Sequence, residues 1–213
     1  MKLVFRNCFV ASRYAAVVFA TITLIANSLA TYAAADEITV FDHLPVGRGD
    51  TPVPTDKDLL FYIQRSLNPN TVVYVAKRKP TGEFVAKKPI DVFWRRFASD
   101  GKRSKLTYIE RTMAFGVVSK SSNRSEEAFR ANLVSYPAKK GILKLDGANK
   151  PVIETMLGKH KVRLIYAYIQ LKGNDVIPKI VYVDVIGQDV QSGKYIRRRV
   201  YSPKNNRPEK FLN

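Results

Sequence analysis

From Leu59 onward, apolar residues recur at every second position. In 59–66, Leu59, Phe61 and Ile63 fall on one face of an extended segment, and Leu60, Tyr62 and Gln64 on the other. Period two is the mark of a β-strand. Residues 71–78 are β-branched and aromatic. Asn68-Pro69-Asn70 between the two runs predicts a turn, because proline fixes φ and asparagine tolerates the left-handed region. Residues 90–97 (IDVFWRRF) are partly apolar on both faces, which predicts a central strand with its arginines near one end. Residues 99–102 form a turn.

One stretch departs from the alternation. Thr107-x-x-Glu110 has the form of a capping box. Leu106, Ile109 and Met113 follow helical spacing, and Gly116 stands where a C-terminal cap belongs. One short helix is expected over 108–115. A strand is the alternative, since Thr107, Ile109 and Thr112 are β-branched. Beyond Val117 the pattern returns to strand and turn. Segments 127–136, 142–145, 152–157, 161–171, 176–186 and 195–201 are separated by turn signals such as Asp146-Gly147-Ala148-Asn149 and Lys172-Gly173-Asn174-Asp175. Pro178 places the start of 176–186 at a strand end or edge. About nine or ten strands with turns every eight to twelve residues predict a mainly β domain, an antiparallel β-sandwich or partly closed barrel. No internal repeat or heptad is visible.

The first 35 residues change the picture of where the chain goes. Lys2, Arg6 and Arg13 precede an uncharged apolar run over 15–30, and Ala33-Ala34-Ala35 offers a cleavage site before Asp36. This predicts a signal peptide over 1–35. The alternative is an uncleaved single N-terminal anchor, because 14–35 lacks charge and is nearly long enough to span. Either reading exports the remainder to a periplasmic or secreted location. Residues 36–58 hold Pro45, Pro52, Pro54, Gly47 and Gly49, and predict an extended arm or linker. Its Arg48-Gly49-Asp50 is read as a chance tripeptide. A single domain is expected over 59–201, and 202–213 reads as a basic disordered tail.

Cys8 is the only cysteine, and it lies in the leader. The processed chain therefore has neither disulfides nor a cysteine nucleophile, and must rest on its hydrophobic core. The chain of 213 residues carries 36 basic and 18 acidic side chains, net +18. Removing the three basic residues of the leader, which has no acidic one, leaves +15. Such a charge draws anionic polymers: lipid phosphates, acidic polysaccharide or nucleic acid. Export argues against nucleic acid as the natural partner, and an anionic envelope polymer or lipid surface is expected. The plain alternative is that the charge confers solubility.

The runs YIQRSLNPNTVVY (62–74) and PIDVFWRRFASDGKRSKLTYIERTMAFGV (89–117) resemble an uncharacterised bacterial exported family, domain of unknown function 4833. The positions carrying the resemblance are Arg65, Ser66, Asn68, Asn70, Trp94, Arg96, Gly101, Glu110, Arg111 and Gly116. The likeness spans about 59–201. It implies export and a single domain, and supplies no activity.

No nucleophile elbow, zincin helix or phosphate loop occurs. His43 sits in the arm, and His160 among lysines reads as a solvated turn residue. Residues 184–189 (DVIGQD) lack the alternating oxygen ligands of a calcium loop. No metal or cofactor is expected. Arg65, Arg96, Glu110 and Arg111 form a polar set. Arg96 shares a face with Trp94, and Glu110 is its candidate partner. The set reads either as an ion pair fixing the helix to the sheet or as an anion pocket. Ser66, Asn68 and Asn70 read as turn-closing side chains. In 195–201, Tyr195, Arg197, Arg199 and Tyr201 share one face, with Arg198 opposite. Such a basic-aromatic ladder suits an anionic chain; a charge-guarded edge strand is the alternative. The expected function is non-enzymatic binding of an anionic ligand or surface at the envelope. One alternative is an envelope hydrolase using Glu110 as acid or base, another a structural or assembly subunit. Oligomeric state stays open.

Overall fold

A computed structural model of the chain describes residues 36–47, 49–121, 128–134, 136–173 and 178–202. The expected leader, nearly all of the expected tail, Arg48 of the tripeptide and the 176–177 start of the last long hairpin lie outside the described residues.

The described residues form twelve strands. In chain order these are β1 (Asp36–Phe41), β2 (Leu59–Arg65), β3 (Asn68–Ala76), β4 (Ile90–Arg95), β5 (Arg103–Lys105), β6 (Val117–Ser121), β7 (Phe129–Leu133), β8 (Tyr136–Leu145), β9 (Pro151–Leu157), β10 (His160–Lys172), β11 (Lys179–Asp189) and β12 (Tyr195–Tyr201). All belong to one curled, half-barrel sheet. The mainly β expectation stands. The strands added to the expected number come from short or polar segments, such as Arg103-Ser104-Lys105, that no alternation marks.

β10 is the hinge of the sheet because it is long enough to serve three neighbours. Its first residues pair with β9, from His160↔Leu157 to Arg163↔Glu154. Its later residues pair with β2, from Tyr166↔Tyr62 to Ile169↔Arg65. The opposite edge carries β11, then β12, then β1. The β2–β10 pairing is parallel, whereas every other pairing is antiparallel. Period two identifies a strand and leaves its partner open, so this crossover had no local signal.

The wings β2–β5 and β9–β6 close over the main core. Phe61, Val72, Tyr74 and Val92 from the first meet Phe129, Leu143 and Ile153 from the second. Val72, Val73 and Tyr74 are completely buried, so β3 is covered on both faces. Phe61 stacks on Tyr74 at 4.0 Å, and Phe84 meets Phe129 edge-on at 5.9 Å. Burial of such rings supplies most of the favourable folding energy.

The arm is part of the fold. Residues 36–41 are β1, paired with β12 from Asp36↔Val200 to Phe41↔Tyr195. β12 is therefore an inner strand, and the edge-strand reading of 195–201 is corrected. After β1 the chain crosses the outer face, burying Thr51 and Pro54. Asp56 takes a forked contact from Arg95, with Nε at 3.0 Å from Oδ2. Asp58 pairs with Arg78 at 3.5 Å.

Two local expectations are refined. The tight turn of the first hairpin is Ser66-Leu67, since Arg65 pairs with Asn68 and β3 already contains Asn68-Pro69-Asn70. The helix expected over 108–115 forms, but its body Glu110–Ala114 is a π-turn. Phe115 N–H donates to the Glu110 carbonyl at 2.7 Å, five residues back. Gly116 permits this wide turn: a Cβ there would lie 1.7 Å from the Arg111 carbonyl oxygen.

Candidate ligand pocket

The outer face of β10, β11, β12 and β1 carries three cross-strand rows, fixed by register. Tyr166, Ile186, Arg197 and Thr39 stand side by side. Next come Tyr168, Asp184, Arg199 and Glu37, and then Gln170, Tyr182 and Tyr201. Alternation puts all of these side chains on one side of the sheet. The arm residues Pro45, Val46 and Gly47 rise beside them and complete a pocket of about 220 Å³.

The arm is held tightly. The Tyr166 hydroxyl donates to the Pro45 carbonyl at 2.5 Å. A Cβ on Gly47 would lie 2.5 Å from Gln64 Oε1 and 3.1 Å from the Tyr166 ring, so a larger residue here would displace both side chains. Tyr166 stacks on Tyr62 at 5.4 Å. Burial pushes the Tyr62 hydroxyl up to about 12 and raises that of Tyr166 as well, so both remain protonated.

The two arginines differ in what they have left to offer. Arg199 forks onto Asp184, Nε to Oδ1 at 2.7 Å and Nη2 to Oδ2 at 2.8 Å. Its carbon lies 3.9 Å over the Tyr182 ring. The bond to Asp184 holds this guanidinium firmly protonated. Arg197 uses Nη2 alone, toward Glu37 Oε1 and Thr39 Oγ1, each at 3.1 Å. Its Nε is buried and has no hydrogen-bond acceptor.

The structure places the other expected residues as follows. Tyr195 and Tyr201 share the face of Arg197 and Arg199 but do not line the pocket. Tyr201 donates to Glu37 Oε2 at 3.2 Å and meets Tyr182 edge-on at 6.1 Å. Tyr195 stands opposite Phe41 and Gln188. Arg198 points to the other side, into an apolar groove of about 110 Å³ with Val185 and Val200.

The pairing of Arg96 with Glu110 is corrected. Arg96 is exposed at the end of its strand and bonds Asp100 at 2.7 Å. Arg65 takes the role instead. It lies 4.7 Å over Trp94, and although burial pulls its guanidinium pKa down, Glu110 acts on it in the opposite direction. Glu110 itself closes the expected capping box: its Oε2 accepts from Thr107 N–H at 2.8 Å and Thr107 Oγ at 3.0 Å. Thr107 Oγ in turn accepts from Glu110 N–H at 3.2 Å. Arg111 contributes its carbonyl to the close approach of Gly116. Arg65 pairs with Ile169, whose side chain packs on the main core, so it lies on the face opposite the pocket. The two arginine groups do not form one site.

Ser66, Asn68 and Asn70 act structurally. Ser66 Oγ bonds both the N–H and the carbonyl of Leu171, tying the hairpin to β10. Asn68 accepts from Asn70 N–H at 2.8 Å, and Asn70 from Ala98 N–H at 2.9 Å. His160 is not a solvated turn residue. It opens β10, half-buried, with Nδ1 at 3.2 Å from Asp189 Oδ2. Among the described residues no group of three or more His, Cys, Asp or Glu side chains could hold a metal ion.

Sequence reasoning missed Asp184, Tyr166, Tyr168 and Tyr182. One signal was present: Asp184 is the single acid inside the apolar run 180–186, where an unpaired charge cannot remain buried.

A family model described as Domain of unknown function (DUF4833) matches residues 61–199. No curated protein and no solved structure matches the chain.

Proposed function

The chain belongs to the family described as domain of unknown function 4833, and from that premise, which brings no activity with it, we propose an exported, non-enzymatic, envelope-associated domain that binds an anionic ligand in the pocket between the arm and β10–β12. The observation that carries this reading is the pair Arg197 and Arg199 at the wall of that pocket, with Arg197 bonded within the chain through Nη2 alone. Arg197 spends its Nη2 donors on Glu37 and Thr39, which leaves Nη1 to donate to one oxygen of a carboxylate or phosphate.

Charge works at two ranges. Inside the site Glu37 and Asp184 balance the two arginines, so affinity rests on donor geometry rather than on surplus charge. Around it, the excess of basic over acidic residues steers anions inward at low salt. The leader-like pattern of residues 1–35 supports an envelope setting.

The test is a calorimetric titration of the purified protein with polygalacturonate, a carboxylate polymer, over a series of salt concentrations. Affinity should fall as salt rises, and Arg197→Met should bind roughly tenfold more weakly with a shallower salt slope. An Arg197→Met protein with unchanged affinity and slope removes the pocket from the account.

A further inference from the structure

Resting on the anion-binding reading of this pocket, we propose that its ligand is a single hexuronic acid ring, free or at the end of a chain: the carboxylate meets Arg197, the ring hydroxyls meet the Asp184–Arg199 pair, and the C–H face lies against Tyr168 and the arm residues Pro45 and Val46.

Three features of the site select this chemistry over a bare anion. The first is the mixture of walls. A pocket built only for phosphate or acetate has no use for apolar surface, yet Pro45, Val46 and the rings of Tyr168 and Tyr182 border this one beside its polar groups. A sugar ring has the matching character, with an apolar face and a hydroxyl edge. The second is the fork of Arg199 on Asp184. Arg199 spends two of its donors on Asp184, and a carboxylate offers about four lone-pair positions. The pair therefore retains both donors and acceptors, side by side and fixed in place. Hydroxyl groups, which donate and accept, can use both without adding charge; acetate can use only the donors, and Asp184 repels acetate and phosphate alike. The third is size. A volume of about 220 Å³ holds roughly seven waters at about 30 Å³ each, the room taken by one substituted six-membered ring.

The pairings also divide the labour. Asp184 stands directly between Tyr168 and Arg199 in the second row, so hydroxyl recognition is central. Arg197 lies one row away, beside Ile186. A carboxyl substituent on the ring reaches that row while the hydroxyls stay on the other. A neutral hexose satisfies one row and leaves Arg197 without an anion.

The experiment is calorimetric titration of the purified protein with sodium glucuronate, glucose, sodium acetate and inorganic phosphate. Glucuronate should bind at least tenfold more tightly than each of the other three. Arg197→Met should lower glucuronate affinity about tenfold and bring it down to that of glucose. Arg197→Lys, which keeps the charge and loses the planar donor set, should fall between the two. Tyr168→Leu should lower glucuronate affinity and leave acetate unchanged. Acetate or phosphate binding as well as glucuronate overturns the sugar assignment and leaves the anion reading standing. Glucose binding as well as glucuronate, with Arg197→Met indifferent, overturns the anion reading itself. No binding by any of the four overturns both.

Discussion

Arg199 and Asp184 offer a sharp test of what holds the pocket together. The Asp184 side chain is 9% exposed and that of Arg199 20%, and the fork between them is short on both arms. With charge centres about 4 Å apart and an effective dielectric near 20, their attraction is about 4 kcal/mol before desolvation is counted. Arg199→Met keeps the length of the side chain and strands the carboxylate, which costs about 3–5 kcal/mol. Asp184→Leu strands the guanidinium instead. Arg199 reaches more solvent and lies on Tyr182 at 3.9 Å, so this loss is smaller, about 2 kcal/mol. The double replacement leaves no buried charge and should come within about 1 kcal/mol of the parent. Urea unfolding of the four proteins supplies the cycle, read as midpoint shifts at constant slope. The expected coupling is at least about 3 kcal/mol. Single effects that add to within about 0.5 kcal/mol would refute the reasoning and make the fork a bystander.

Other consequences concern the frame of the site. Tyr74 is completely buried and its hydroxyl donates to the Phe115 carbonyl at 2.9 Å, tying β3 to the end of the π-turn. Tyr74→Phe keeps the stack on Phe61 and strands that carbonyl, so stability should drop by about 1–2 kcal/mol in urea unfolding; a loss under about 0.3 kcal/mol contradicts the bond. Gly116→Ala places a methyl 1.7 Å from the Arg111 carbonyl and should abolish the π-turn, lowering the unfolding midpoint more than any exposed Gly147→Ala, whose Cβ meets nothing. Asp189 has its pKa depressed by the Ser192 backbone N–H, then by the Ser192 hydroxyl, with His160 and Gln191 adding to these against burial. Its stabilisation is present above the ordinary aspartate value of 3.8 and disappears as pH falls through the lower folded value. Asp189→Asn should flatten the acid limb of the stability–pH curve; an unchanged limb counts against those bonds.

The sequence made the architecture legible where physics is local. Alternation marked β2 and β12, and Thr107 with Glu110 predicted a capping box that forms with both reciprocal bonds. Two things lay beyond local pattern. The parallel pairing of β2 with β10 joins segments about a hundred residues apart, and only the folded core selects it. The arm looked like a linker because prolines and glycines dominate 45–54, yet Asp36–Phe41 is a strand whose partner, β12, comes at the far end of the chain. The same distance hid the pocket. Arg197 and Arg199 were visible as a ladder, but their acids, Glu37 and Asp184, arrive from β1 and β11. Arg96 misled because it follows Trp94 at strand spacing; the strand ends at Arg95, and the turn presents Asp100 to it first.

The most direct test of the binding claim is native mass spectrometry of the protein isolated from its own cells at low salt, beside an Arg197→Met form isolated in the same way. The account predicts a reproducible acidic adduct on the parent, of uronic acid or uronate-ended oligosaccharide mass, that is lost from Arg197→Met. A bare polypeptide mass for both, or an adduct that survives the substitution undiminished, contradicts it.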